Sequence, residues 1–418
     1  MMLSWLRASL QVVLVVCLSH RHVCVWAASR EGHEQRAPQQ QLSSVVKHRH
    51  GGFRSPLKRT SPDEPRLHVV MVATLDGDTD VHTHWAFVCR NSFATAAANS
   101  IALEVIGSDD IDCEARGINR TAGNVKILLP QSYLQGLPDD DLILMADAWD
   151  VWFQFNETQI KELYATAVNS SGLIVSTETL CAPKQLQQQT DVCRLMPPNP
   201  RETRSVAISH DGNLTSMLSS LAESPFGNRF INAGLHLGRI GAFREYMAYK
   251  QQLLDTGAGK ETFLGSDQAM SYFIFLNDET RERFGLRLDY DSRLSLTANT
   301  PLVHRHLHYH PHPHRHNASH PSFSLPLSEA FMSSTDPSAI RKRAKELLSA
   351  SGGGRVVVEW PDAHYVSVPA VVHFPGQTWP KGWNDIGPPS FAQWTDERLQ
   401  GTLYYDGVER RYADFCAK

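Results

Sequence analysis

A succession of short apolar runs, separated by stretches with helical spacing, constrains this chain more than any other feature. "RLHVVMVATLDG", "ALEVIG", "LILMAD" and "GLIVSTET" each hold apolar residues over a strand's length and stop at a polar or glycine residue. Between them lie "HWAFVCRNSFATAAANS", "LLPQSYLQGL" and "NETQIKELYATAVN", long enough for crossover helices. Strand, helix, strand in repetition predicts a parallel sheet, because parallel neighbours need a long connection that a helix fills. Further strands are expected at "RFINAGLHLGRI", with a tight turn from Asn232 to Gly234, and at "LRLDYD", "RVVVEW" and "VPAVVHFPG". Helices are expected at "AFREYMAYKQQLLDTG" and from Asp267 to about Phe284. The expected fold class is α/β: one doubly wound, mostly parallel central sheet with an irregular C-terminal half.

The strand that begins at Leu142 runs into "MADAWDVW", with carboxylates at Asp147 and Asp150. A carboxylate beside an apolar core is costly, and two side by side repel each other unless a cation compensates both. They lie just past the carboxyl end of a central strand, the edge at which open α/β sheets bind ligands. A turn there brings residues three apart to one side and offers a small ion two oxygens. The plainer reading has Asp147 capping a turn and Asp150 solvated. "VVHFPGQTWPKGW" repeats the plan: an apolar strand ends at His373, Gly376 supplies a turn and Lys381 follows. A glycine turn with a lysine suits a diphosphate, through close backbone approach and charge neutralisation. Two carboxylates and one imidazole suit Mn2+, whereas a strand histidine considered alone is more often a satisfied core residue.

With a formal net charge of -4, the chain lacks the basic footprint of a nucleic-acid binder. Its first 29 residues carry Arg7, an apolar run from Leu10 to Leu18 and small residues at Ala27, Ala28 and Ser29. That is the layout of a secretory signal peptide, with a single-pass signal anchor as the alternative. Both place the remainder in the lumen of the endoplasmic reticulum or Golgi, or outside the cell. N-x-S/T sequons at Asn119, Asn156, Asn169, Asn213 and Asn317 fit that compartment and a glycoprotein. Residues 30–65 are polar and read as a disordered stem. Beyond the leader the cysteines are Cys89, Cys113, Cys181, Cys193 and Cys416, an odd number that leaves one thiol free or bridged to another chain. Cys181 and Cys193 close a short polar loop and are the expected disulfide.

The ordered domain is read as residues 66–400, with an insertion at about 301–354 and a tail at 401–418. The insertion opens on "HRHLHYHPHPHRHNASH", with histidine at 304, 306, 308, 310, 312, 314, 316 and 320. Metal capture is one reading; a solvated low-complexity loop, whose prolines prevent a fixed cage, is the other. "DPSAIRKRAKELLSA" predicts a helix with Asp336 as N-cap and Pro337 in its first position.

The blocks "MVATLDG", "LILMADAWDV", "VSTETLCAP", "RFINAGLHLGRI", "SDQAMSYFIFLNDETRERFGLRLDYDSRL" and "VVHFPGQ" fall in the order seen in one family. Over residues 67–383, the insertion excluded, the chain resembles the glycosyltransferase domain of the procollagen lysyl hydroxylases. The resemblance implies a GT-A (Rossmann-like) fold, a UDP-sugar donor and Mn2+. Carried over by position, Asp147, Asp150 and His373 are the manganese ligands. Val72, Ala73 and Thr74 match residues that hold uridine, Ala148 and Trp149 the next nucleotide contact, and Gly376, Gln377 and Thr378 the turn that meets the diphosphate. In that family a lysine follows this turn directly, whereas Trp379 and Pro380 intervene here before Lys381. Asp267 matches the acidic run that the family places near the sugar, where this chain has only Ser266 and Asp267, and would orient hydroxyls or support charge at the anomeric carbon. Glu178 and Asn232 are further candidate sugar contacts, and Trp152 is assigned to packing.

The expected activity is Mn2+-dependent transfer of a hexose, glucose or galactose, from a UDP-sugar to an acceptor hydroxyl on a protein or glycan. The alternatives are a catalytically silent GT-A domain acting as lectin or scaffold, and a histidine-rich metal-binding protein. No hydroxylase activity is expected.

Overall fold

The computed structural model describes residues 14–16, 25–27, 64–73, 88–107, 122–148, 150–168, 172–184, 191–200, 228–256, 266–298, 300, 303, 305–309, 326–350, 356–360, 365–375, 402–405 and 407–416. The chain divides into two compact units, Met1–Gly51 and Gly52–Lys418. In the first, β1 (Leu14–Val16) and β2 (Val25–Ala27) form an antiparallel pair. Among the described residues no helix is long and apolar enough to cross a membrane.

The second unit is built on an eight-stranded sheet. Its inner strands are β3 (Leu67–Ala73), β4 (Leu103–Gly107) and β5 (Leu142–Asp147), all mutually parallel, with β3 in the centre. A π-helical turn, Cys89–Phe93, leads into α1 (Ala94–Ala98) before β4, and α2 (Ala122–Leu134) precedes β5. Every residue of β3 is buried, as expected of a strand with helices or loops on both faces. Alternate residues serve opposite faces: Val69, Met71, Leu142 and Leu144 join one core, and Val70, Val72, Ile143 and Met145 the other.

Beyond β5 lie β7 (Leu173–Glu178), β8 (Phe230–Arg239) and β9 (Arg287–Leu288), completing the order β5-β8-β7-β9 on that side. β8 runs antiparallel to both its neighbours. The sheet is therefore mostly parallel, as expected, with one reversed strand inside it. β6 (Val151–Phe153) and α3 (Glu157–Val168) follow β5, α4 (Ile240–Asp255) follows β8, and α5 (Asp267–Leu276) and α6 (Asp278–Arg283) precede β9.

Several expectations need correction. No turn interrupts Asn232 to Gly234; those residues lie inside β8. The helix from Asp267 is two helices, broken at Asn277, whose side chain accepts a hydrogen bond from the Thr280 amide at 3.2 Å. The closing strands leave the main sheet. β10 (Ser295–Thr297), β15 (Val371–His373) and β6 form a three-stranded sheet. β11 (Leu307–Tyr309), β12 (Phe331–Ser333), β13 (Val356–Trp360) and β14 (Tyr365–Ser367) form an antiparallel one. The insertion thus supplies strands as well as the anticipated helix, α7 (Pro337–Ala350), whose first turn is capped by Asp336 accepting from the Ser338 amide at 2.8 Å. His308 pairs with Glu359 at 2.9 Å and His306 stacks on Trp360; the other histidines of the run lie outside the described residues.

Residues 401–418, read from sequence as a tail, carry β16 (Thr402–Tyr405), β17 (Val408–Arg411) and α8 (Tyr412–Cys416). β16 extends the main sheet beside β4. The Cys181–Cys193 disulfide is present, and a second joins Cys89 to Cys416.

Candidate metal centre

The two sheets converge at the carboxyl end of β5. Asp147 is its last residue and lies opposite Val72 of β3. β6 pairs with β15 so that Val151 faces His373, and the Phe374 amide donates to the Asp150 carbonyl at 2.8 Å. That pairing brings a histidine more than two hundred residues away to the aspartates. His373 Nε2 lies 3.5 Å from Asp147 Oδ2 and 3.3 Å from Asp150 Oδ1. One ligand atom from each of the three residues falls within 4.8 Å of the others.

Asp150 Oδ1 and His373 Nε2 are both buried and neither has a well-formed hydrogen bond. Buried polar atoms normally make a well-aligned hydrogen bond, whereas these two face each other at 3.3 Å, with the Asp147 carboxylate 3.5 Å from the ring nitrogen, as an ion-paired cluster. Two carboxylate oxygens and an imidazole nitrogen converging this way fit a divalent cation. The other ring nitrogen is held: His373 Nδ1 is 3.1 Å from Asn232 Oδ1, which also accepts from the Gly234 amide at 2.9 Å. With Oδ1 thus fixed as the acceptor, Nδ1 carries the proton in the neutral ring and Nε2 is directed at the carboxylates.

The electrostatics are those of a concentrated acidic site. Burial opposes charge on His373, but Asp150 and Asp147 outweigh it and lift its pKa to about 10. Burial likewise opposes ionisation of Asp147, yet Lys126 and His373 hold its carboxyl well below the usual carboxylate range. Lys126, on α2, makes an ion pair with Asp147 and is itself raised, because Asp147, Asp267 and Asp150 outweigh its burial. Burial pushes Asp267 up, against the pull of Lys126 and Lys250. Lys250 on α4 is buried, lies 4.6 Å from the Tyr246 ring centroid and is drawn down to about 8, chiefly by burial.

β8 makes room for this arrangement by an irregular register. Between two paired positions on β7, Val175 and Thr177, the chain of β8 runs from His236 back to Ile231. The surplus residues bulge at the site, and the Asn232 carbonyl accepts from Ser176 Oγ at 2.7 Å. Gly234 lies there because a Cβ would sit 2.3 Å from His373 Cε1 and 2.9 Å from Asn232 Oδ1. Across the bulge, Gln268 Nε2 donates to Glu178 Oε1 at 2.6 Å and to the Ala182 carbonyl at 3.0 Å, and Gln268 Oε1 accepts from the Ala233 amide at 3.3 Å.

Of the residues singled out from sequence, Asp147, Asp150 and His373 come together directly and Asn232 touches the histidine. Val72 and Ala73 end β3 beside them, Ala148 is buried between the aspartates, Glu178 ends β7 and Asp267 begins α5. Trp152 is buried in an apolar cluster with Leu296 and Val372, the packing role expected. Thr74, Trp149, Gly376, Gln377, Thr378 and Lys381 lie outside the described residues. Lys126 and Gln268 are not among the residues singled out, and Gly234 enters the sequence reading only as the end of the expected turn. Gly234 sits inside "INAG" and Gln268 follows Asp267, while nothing in the sequence around Lys126 sets it apart from an ordinary helix-surface lysine.

No family model and no curated protein matches the chain. Solved structures similar to it include mouse xyloside xylosyltransferase 1 (11% identity, 58% of this chain and 91% of that one, TM-score 0.31). Another is an active-site mutant, Q189E, of LgtC (14%, 74% and 87%, TM-score 0.35). A third is a glycosyltransferase involved in glycosylation of the major capsid of PBCV-1 (9%, 56% and 85%, TM-score 0.31).

Proposed function

We propose that this chain is a glycosyltransferase of GT-A type that uses Mn2+ and a UDP-sugar and passes a hexose to an acceptor hydroxyl. The observation that carries the reading is the convergence of Asp147, Asp150 and His373, with two buried ligand atoms lacking hydrogen bonds, at the carboxyl edge of a mostly parallel sheet. The resemblance to the procollagen lysyl hydroxylase transferase domain supports glucose or galactose as the sugar.

Asp147, Asp150 and His373 would hold the ion. When bound, it would supply charge stabilisation for a leaving diphosphate. Val72, Ala73 and Thr74, with Ala148 and Trp149, would receive the nucleoside. Gly376, Gln377, Thr378 and Lys381 would meet the phosphates. Asn232 keeps His373 in register, and Asp267 with Glu178 would orient sugar hydroxyls. Lys126 balances the charge of Asp147 and limits the repulsion between the paired carboxylates.

The two disulfides support a lumenal or extracellular setting, reached by way of the N-terminal apolar run, as a cleaved signal or an anchor. The test is UDP release by the purified chain from a panel of UDP-sugars, with and without Mn2+, beside Asp150→Ala. Manganese-dependent release from one donor, lost in the variant, is the expected result. Absence of release from every donor and acceptor tried, with metal-dependent UDP binding intact, would replace the transferase with a binding role.

A further inference from the structure

The two aspartates are separated by a turn that must be held closed for their carboxylates to meet His373. We propose that Ser92 is the positioning residue that holds it. The inference rests on the metal-centre reading above and concerns how this chain builds that centre. Ser92 is fully buried, and its hydroxyl donates to the Ala148 carbonyl at 2.6 Å while lying 3.2 Å from the Val151 carbonyl. Those two carbonyls bracket the turn, one just after Asp147 and the other just after Asp150. A single buried proton shared unequally between them ties the turn's ends together where no solvent replaces the bond.

The mount of this hydroxyl is itself unusual. Ser92 lies in the π-helical turn Cys89–Phe93, and such insertions are rare and concentrate at functional sites, where they re-aim side chains. The segment is fastened on two sides, to β6 and to α8. Thr95 Oγ1 accepts from the Phe153 amide at 3.0 Å, and Asn99 Nδ2 donates to the Phe153 carbonyl at 2.9 Å, so α1 is fixed to β6. Cys89 is bonded to Cys416 of α8, and Phe93 packs on Tyr412 with ring centroids 5.5 Å apart. From the far side the Phe374 amide holds the Asp150 carbonyl. The turn is thus gripped by Ser92 on one flank and by the strand of His373 on the other. Removing the hydroxyl leaves the Ala148 carbonyl buried without its donor and lets the turn relax, which separates the carboxylates.

The test is Mn2+ binding to the full chain, followed by the paramagnetic resonance of free Mn2+ and by calorimetry, with the thermal midpoint measured in parallel. The proteins are the wild type, Asp150→Ala, Ser92→Ala, and the pair Ser92→Thr and Ser92→Val. Thr and Val have the same shape and differ by the hydroxyl, so their comparison separates the hydrogen bond from packing even where Ser92→Ala folds poorly. Loss of a group that orients metal ligands costs about 10–100-fold in affinity. We expect that loss in Ser92→Val and Ser92→Ala, with Ser92→Thr close to the wild type. Equal affinities for Ser92→Thr and Ser92→Val overturn the inference, while wild-type binding abolished by Asp150→Ala keeps the metal centre. A wild type that does not bind Mn2+ overturns both.

Discussion

Glu178 is an acidic residue whose chemistry departs from its appearance in the sequence. It is 2% exposed, and burial raises its carboxyl to about 8 against the pull of the Gln268 amide. Its ordinary value is 4.5, so between about pH 4.5 and 8 the carboxyl is neutral in the folded chain and ionised in the unfolded one. Unfolding then releases a proton, and stability from this group is fully present below about pH 4.5 and lost as the pH rises through about 8. One proton corresponds to a slope of at most about 1.4 kcal/mol per pH unit. Urea unfolding between pH 5 and 8 is expected to show that decline in the wild type and a flatter profile in Glu178→Gln; parallel profiles would refute the assignment. The convergence of Asp147, Asp150 and His373 was legible for the opposite reason. Carboxylates and a histidine at the ends of apolar runs are anomalous in one dimension, whereas the ion pair of Lys126 with Asp147 exists only once α2 packs against β3 and β4.

At the scale of the element, β8 shows why a correct strand was drawn with a wrong turn. "INAG" has turn-forming residues, and asparagine with glycine normally reverses a chain. Here the main sheet keeps the backbone extended on both sides and the surplus residues become a bulge. The glycine serves close approach, since any Cβ at 234 would enter the His373 ring. Gly234→Ala should therefore displace His373 or the bulge. A stability loss of about 1–3 kcal/mol is expected from overpacking, together with about 10–100-fold weaker Mn2+ binding. Calorimetric titration beside a thermal melt measures both. Unchanged metal affinity would show that the bulge accommodates a methyl group without moving the ligand. The other elements were legible where local signals agree with tertiary demand, as in α7, whose Asp336-Pro337 start matches the observed cap. Its neighbours β11 and β13 were harder to place, because which sheet a strand joins depends on partners far along the chain.

For the whole molecule, the C-terminal segment supplies one edge of the main sheet. β16 pairs with β4 at Tyr404–Glu104 and Tyr405–Val105, and β17 folds back on it. Leu403, Tyr412 and Cys416 enter the same core as Phe93 and Val105. The hairpin signal was present as Asp406-Gly407 between strand-like runs, with Gly407 at φ 76°. The disulfide was not legible, because its cysteines lie 327 residues apart and no local spacing pairs them. A bond closing so long a loop restricts the unfolded chain strongly, and about 2–4 kcal/mol of stability is typical. Cys416→Ser is therefore expected to lower the thermal midpoint, and a reductant should do the same to the wild type but add less to the variant. Truncation after residue 401 removes the edge strands as well as the bond. It exposes the apolar edge of β4, for which association through unpaired backbone groups is the expected consequence. Size-exclusion chromatography and melting of the two variants separate the contributions: a monomeric truncation as stable as Cys416→Ser would mean that the strands add nothing beyond the disulfide. If instead the truncation associates while Cys416→Ser stays monomeric, the hairpin protects the edge of β4 and the covalent bond secures the hairpin, which makes residues 402–416 part of the fold of this unit.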